Sequence, residues 1–317
     1  MRDINDKKYS VLQIEPVNEQ VLLDPEGFVS SSEEYYNNQV MAAARTICES
    51  NGQYKFVLLC GPSASGKTTT AHKLKHRIIA LGHGARVMSM DNFFKGMQHY
   101  PRLADGSPDM ESVEALNMDL LNSCFDELMK TGRVKFPIFD FAKQESILNA
   151  HEVELAEGDI LIMEGIHALN PNVLKHIPRE NIYRMYVSVR TKFVRGEETI
   201  LVPKDIRLMR RMVRDYNFRN YSPVHTLNYW HHVVASEKIN IDTYRDDVER
   251  KMDNTIDYEV CVWRDMLEGL LNSEDLVVLR EYPEMVRILD ALEHFGRVNR
   301  ELIPKNSLLR EFLGNDV

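Results

Sequence analysis

Gly61-Pro62-Ser63-Ala64-Ser65-Gly66-Lys67-Thr68 decides the fold. The stretch meets G-x-x-x-x-G-K-[ST] at every fixed position. Its glycines let the backbone wind tightly, so that successive N–H groups point inward at phosphate oxygens. Lys67 adds a mobile charge near the β- and γ-phosphates, and Thr68 offers a hydroxyl to Mg²⁺. Ser63, Ala64, Ser65, Gly66 and Thr69 complete the expected cradle. The setting fits as well. Lys55 to Cys60 is an apolar run of strand length, and Lys67 to about Leu81 reads as a helix. That helix aims its positive end at the same anion. By average residue frequencies the pattern arises by chance in about one percent of chains this long. A nucleoside triphosphate with Mg²⁺ is therefore expected, ATP first and GTP as the alternative.

Working outward, Ala85–Met90, Asp159–Met163 and Ile182–Val189 read as further buried strands, and residues 113–130 as a helix. Val134–Phe141 reads as an extended segment, with Pro137 at an edge or bend. Strands alternating with helices predict an α/β P-loop NTPase fold, a mostly parallel sheet with helices on both faces. Residues 51–317 form the predicted kinase domain, with a helical lid at about 204–222 and a mainly helical part at about 260–317. A further strand is expected around Thr255-Ile256. Residues 1–50 read as an N-terminal extension: one or two short strands between Val11 and Leu23, then a helix from Ser30 to about Glu49, ended by Asn51-Gly52.

The 317 residues carry a formal net charge of −9. That argues against a nucleic-acid or membrane-surface binder, which is normally basic. No stretch approaches a membrane span, and the N-terminus lacks the apolar run of a signal peptide. Four cysteines without a CxxC pair fit a reducing compartment. A cytoplasmic protein acting on a small molecule is expected, with homo-oligomerisation left open.

Two acidic residues follow predicted strands, where open α/β sheets bind their ligands. Asp91 lies in Met90-Asp91-Asn92-Phe93-Phe94, and Glu164 is followed by Gly165. A kinase needs one carboxylate to receive the acceptor's proton and another on the metal side. Asp91 is the base candidate, with metal ligation as its alternative, and Glu164 joins Thr68 at the metal. Arg207, Arg210, Arg211 and Arg214 recur at i, i+3, i+4 and i+7, one face of a helix. Two readings are open: a lid over the triphosphate, or a face paired to acids. The lid is favoured, with Arg207 and Arg210 on the nucleotide and Arg211 and Arg214 at the transferring group, Arg214 also reaching the acceptor.

With these stretches, Phe136-Pro137-Ile138-Phe139-Asp140-Phe141 and Ile162-Met163-Glu164-Gly165-Ile166, the chain resembles the phosphoribulokinase/uridine kinase family of P-loop kinases from about Tyr54 to about Asp257. It looks closest to a bacterial uridine kinase-like group often fused to a threonyl-tRNA-synthetase-like N-terminal region, for which the first 50 residues are too short. Glu164-Gly165-Ile166-His167-Ala168-Leu169 and Ser307-Leu308-Leu309-Arg310-Glu311-Phe312 carry that likeness. The resemblance implies Asp91 as general base, Thr68 and Glu164 at the metal, and Phe94, Phe139 and Phe141 around the acceptor. It implies an acid on the ribose, Asp109 or Glu111, with the register favouring Glu111. Gln144 stands where uridine kinases place a histidine, and Phe94 and Phe139 where tyrosines are usual.

The expected reaction is therefore ATP- and Mg-dependent phosphorylation of an alcohol, namely the 5′-hydroxyl of uridine or cytidine. Phe93, Phe94, Phe139 and Phe141 would form a flat slot for the base, and Gln144 would read either pyrimidine. The alternatives are another alcohol acceptor within the family (a sugar phosphate, glycerate or a pantothenate-like compound) or a nucleotide-binding regulatory pseudo-kinase.

Overall fold

The computed structural model describes residues 9–140, 143–173, 175 and 177–314. The chain opens with β1 (Ser10–Gln13), α1 (Ile14–Leu23) and α2 (Pro25–Cys48). Then come β2 (Phe56–Cys60), α3 (Lys67–Ala80), β3 (Ala85–Ser89), α4 (Met118–Thr131), β4 (Arg133–Asp140) and β5 (Glu145–Glu154). Next are β6 (Ile160–Glu164), β7 (Ile182–Ser188), β8 (Thr191–Arg195), β9 (Glu198–Leu201), α5 (Pro203–Arg219), α6 (Pro223–Asn240) and β10 (Arg250–Asp253). The chain closes with α7 (Glu259–Leu270), α8 (Ser273–Leu279), α9 (Pro283–Leu292) and α10 (Arg310–Leu313).

Five parallel strands, in the order β10-β7-β2-β6-β3, make the central sheet. Every residue of β2 is buried, as a strand covered on both faces requires. Val57 and Leu59 join one core with Tyr36, Leu74 and Met209. Phe56, Leu58 and Cys60 join the other with Phe125, Phe136 and Tyr186. The expected α/β fold is thus borne out. Among the described residues no helix is long and apolar enough to cross a membrane.

Several boundaries move. Only Ser10–Gln13 of the expected N-terminal strands is extended; Ile14, Val17 and Val21 bury the inner face of α1. The next helix starts at Pro25, capped by the Asp24 carboxylate on the Gly27 N–H at 3.0 Å, not at Ser30. It packs on α3, where the Tyr36 and Thr70 hydroxyls meet at 2.9 Å. Residues between Leu12 and Ile47 therefore build the same core. Helix α4 begins at Met118 rather than 113, because Asn117 caps it on the Leu120 N–H. The strand expected around Thr255-Ile256 lies at Arg250–Asp253. Pro137 sits at the register shift of the β4–β5 hairpin.

Candidate active site

The phosphate loop lies at the carboxyl end of β2. A Cβ on Gly61 would lie 2.0 Å from the Val187 carbonyl oxygen, so only glycine fits against β7. Gly66 (φ 82°) and Ala64 (φ 59°) both take left-handed conformations. Such a winding turns amide N–H groups toward one centre. Lys67 Nζ donates to the Pro62 carbonyl at 3.2 Å. Asn254 Nδ2, just beyond β10, donates to the Ser65 carbonyl at 2.9 Å and braces the loop from behind.

Two donors expected for nucleotide are engaged within the chain. The Ser63 N–H bonds Glu237 Oε1 at 3.1 Å, and the Thr69 N–H bonds Glu311 Oε2 at 3.0 Å. Both partners are carboxylates, so each stands in for an anion at the loop. The Leu308 side chain also lies over Gly66, 2.6 Å from where a Cβ would be.

Asp91 follows β3 in a single 3-10 turn, Met90–Phe93, which the Ser89 hydroxyl caps on the Asp91 N–H. Glu164 ends β6, and the Thr68 hydroxyl donates to its Oε1 at 3.3 Å. Burial pushes the Asp91 carboxyl above its usual range, against the opposing charges of Lys67, Arg219 and Arg214. Burial, then the Asp91 charge, pushes Glu164 up to about 7, while Lys67 pulls it down. The two carboxylates and the lysine thus form one electrostatic unit. Among the described residues no group of three or more His, Cys, Asp or Glu is arranged to hold a metal. Thr68, Glu164 and Asp91 nevertheless suit Mg²⁺, which takes oxygen ligands, keeps several waters and shares phosphate oxygens.

Helix α5 carries the arginines but is held in the core by Ile206, Leu208, Met209, Met212 and Val213. Its stripe divides. Arg207 pairs with Glu237 and donates from Nε to the Ser63 carbonyl at 2.8 Å. Arg210, fully buried, grips Glu259 through Nε at 2.7 Å and Nη2 at 2.8 Å, and reaches the Asn254 and Ala64 carbonyls. These two therefore hold the loop's backbone, where contacts to nucleotide were expected of them. The acids responsible lie thirty and forty-nine residues further along the chain.

Arg211 and Arg214 are paired to acids as well. Arg211 donates to the Ser63 hydroxyl at 2.7 Å and pairs with Glu111 at 3.4 Å and Asp215 at 3.2 Å. Arg214 and Arg219 also pair with Asp215. Burial alone would raise the Asp215 carboxyl; the three guanidiniums hold it below its usual range. Arg219, beside Arg214 and within reach of Asp91, is pulled down to about 10 by Arg214 first and then by burial. The sequence reading left Arg219 out of the site; its i+8 position from Arg211 lay outside the stripe.

On the acceptor side Glu111 is 8% exposed and paired to Arg211. The Asp109 carboxylate accepts the Glu111 N–H at 3.0 Å, forming a turn that fixes Glu111. Phe94 and Phe139 rings meet at 5.7 Å, and Phe94 meets Tyr100 at 5.9 Å. Phe93 instead packs on Phe136 in the core, so the expected slot loses one wall. Gln144 sits at φ 56° before β5, its carbonyl accepting the Met97 N–H at 3.4 Å. Phe141 lies outside the described residues. Three side chains were missed. Tyr100 has its phenol pushed up to about 12 by burial and by Asp91. The Tyr229 ring lies 5.8 Å from the Arg211 guanidinium carbon. His167 is buried beside Glu111.

A cavity of about 600 Å³ opens beside Pro62, bordered by Arg190, Lys204, Lys238 and Arg245. It contains neither Asp91 nor Glu164 and is not the cleft between them.

Comparison with known proteins matches the profile of the phosphoribulokinase/uridine kinase family over residues 56–255. A uridine kinase of Schizosaccharomyces pombe is 24% identical over 270 residues, 82% of this chain and 55% of that protein. The chain thus spans about half of that relative's length. A uridine kinase of Ureaplasma urealyticum is 25% identical over 179 residues, 56% of this chain and 77% of that protein. The solved structure of a D-glycerate 3-kinase from Cryptococcus neoformans is similar at a TM-score of 0.29 and 16% identity, over 88% of each chain.

Proposed function

This chain belongs to the phosphoribulokinase/uridine kinase family, and we propose that it transfers the γ-phosphoryl group of Mg-ATP to the 5′-hydroxyl of uridine or cytidine. The observation that carries this reading is the unit of Lys67, Asp91 and Glu164, in which a phosphate-loop lysine sits among a buried carboxylate, Glu164, and a half-buried one, Asp91.

In this reading the loop amides and Lys67 hold the β- and γ-phosphates. Mg²⁺, when bound by Thr68 and Glu164, neutralises phosphate charge. Burial raises Asp91's affinity for a proton, which suits a base that takes the acceptor's hydroxyl proton as the phosphoryl group arrives. Arg211, Arg214 and Arg219 meet the charge that spreads over the transferring oxygens, and the burial of Arg211 strengthens its share of that effect. Asp215, shared by all three, fixes their positions. Glu111 accepts hydrogen bonds from a ribose diol. Phe94, Phe139 and Tyr100 offer an apolar wall with one hydroxyl for the base.

The test is a panel of nucleosides, sugars, sugar phosphates, glycerate and pantothenate with Mg-ATP, scored by kcat/KM. Uridine or cytidine should lead. A non-nucleoside alcohol leading by roughly tenfold, about 1.4 kcal/mol in transition-state binding, would leave only the family's general chemistry.

A further inference from the structure

We propose that His167 is an acceptor-binding residue, its neutral imidazole donating a hydrogen bond to one hydroxyl of a vicinal diol whose protons Glu111 accepts. The proposal rests on the reading of this cleft as the site of a diol-bearing alcohol.

The first support is position. His167 lies three residues beyond Glu164, in the turn that leaves β6. Gly165 lets that turn close on the 3-10 turn after β3: a Cβ there would lie 2.8 Å from Met90 Cβ. The Ala168 N–H bonds the Gly165 carbonyl at 3.3 Å, and the Asn170 N–H bonds the His167 carbonyl at 2.9 Å. Cys60 Sγ donates to the Ile166 carbonyl at 3.1 Å. The imidazole is therefore carried on a braced backbone at the carboxyl end of the sheet, where α/β folds bind ligands.

The second support is the ring itself. His167 is 1% exposed, and neither Nδ1 nor Nε2 makes a hydrogen bond of good geometry among the described residues. The backbones of Glu111 and Ser112 come near enough to act on the ring as weak hydrogen-bond partners, and the charges of Glu111 and Lys67 are in reach. A buried polar group left unsatisfied costs about 1–3 kcal/mol. An apolar residue of similar volume would avoid that cost, so the imidazole is better explained by a partner that arrives with a ligand.

The third support is complementarity. Burial holds the ring neutral, with its pKa lowered to about 4, so it offers one donor and one acceptor at working pH. The Glu111 carboxylate accepts and Arg211 only donates. A hydroxyl that gives its proton to Glu111 still needs a donor for its oxygen, and the ring beside Glu111 can supply it. Asp91 remains free for the reacting hydroxyl.

The experiment compares wild type, His167→Phe and His167→Asn on the best diol acceptor from the panel and on its two mono-deoxy analogues, at saturating Mg-ATP. His167→Phe keeps the ring's bulk and removes its hydrogen bonds; His167→Asn keeps a donor and an acceptor. On the diol, His167→Phe should lose roughly 10–100-fold in kcat/KM, mainly through KM, with partial rescue by Asn. On the analogue lacking the contacted hydroxyl, wild type and His167→Phe should agree within about threefold, as a lost pairwise contact requires. Equal losses on the diol and on both analogues would make His167 a structural wall and overturn the proposal, as would no loss at all. Nucleotide affinity and thermal unfolding check the fold; if His167→Phe does not fold, His167→Leu, which also lacks both hydrogen bonds, takes its place in the comparison. If the panel's best acceptor is a diol but not a nucleoside, the nucleoside reading falls and the His167 test still decides. A best acceptor without a vicinal diol overturns the role proposed for His167.

Discussion

The Glu311 carboxylate accepts a hydrogen bond from the Thr69 N–H at 3.0 Å. This ties the C-terminal segment to the first turn of α3, the positive end of the phosphate-loop helix. Thr69 was expected to meet nucleotide, and its donor is already satisfied by an internal anion. A phosphate that uses the same N–H has to displace that carboxylate. Glu311→Ala should therefore bind Mg-ATP roughly tenfold more tightly, within the range of a charge-assisted hydrogen bond. Titration calorimetry reads the change. Weaker binding would mean that Glu311 supports the site rather than competing for it.

Asp91→Asn should lower kcat by roughly 10²–10⁴, the usual range for a lost general base, and change nucleotide affinity far less. Rapid-quench turnover and equilibrium binding separate the two effects. A collapse of Mg-ATP binding instead would assign Asp91 to the metal.

Proton and metal compete for Glu164. Its carboxyl is pushed up to about 7 by burial and by Asp91, so the fraction ready for Mg²⁺ shrinks as pH falls below that value. Mg-dependent nucleotide affinity should accordingly weaken from pH 8 to pH 6 in the wild type and change little in Glu164→Gln. Calorimetric titrations with and without EDTA check this. A pH dependence that is the same in both proteins would place the titrating group elsewhere.

Arg210 and Glu259 form a fully buried pair, and Glu259 also accepts from Trp263 Nε1 at 2.9 Å. Removing one charge strands the other. Arg210→Met should cost about 3–5 kcal/mol of stability. Urea unfolding of Arg210→Met, Glu259→Gln and the double variant measures it, and the double should lose less than the sum. Additive losses would show that the two side chains act independently.

Much of the fold was legible because buried parallel strands are continuous apolar runs. Phe56–Cys60 and Ile160–Met163 announce themselves, and the glycine loop between β2 and α3 obeys a steric rule with few solutions. Strand β5 was not legible: Glu145–Glu154 is polar and mostly exposed, held by pairing with β4 rather than by a buried face. The arginine stripe was legible as a pattern but not in its uses. Which guanidinium faces a ligand depends on Glu237 and Glu259, whose approach leaves no local signal. Phe93 and Phe94 are neighbours in sequence, yet the 3-10 turn sends one ring to Phe136 and the other toward Tyr100 and Phe139, at different places in one core. His167 and Glu311 stood in plain view within stretches already singled out. The burial of the one and the Thr69 partner of the other are defined only in the folded chain.

Acceptor-dependent ADP release from Mg-ATP, in wild type and Lys67→Ala side by side, tests the proposed phosphoryl transfer most directly. Wild type should release ADP only when uridine or cytidine is present, in step with nucleoside monophosphate, and Lys67→Ala should remain folded and release almost none. ADP release without any acceptor, or near-normal turnover by folded Lys67→Ala, would contradict phosphoryl transfer from this loop to an alcohol.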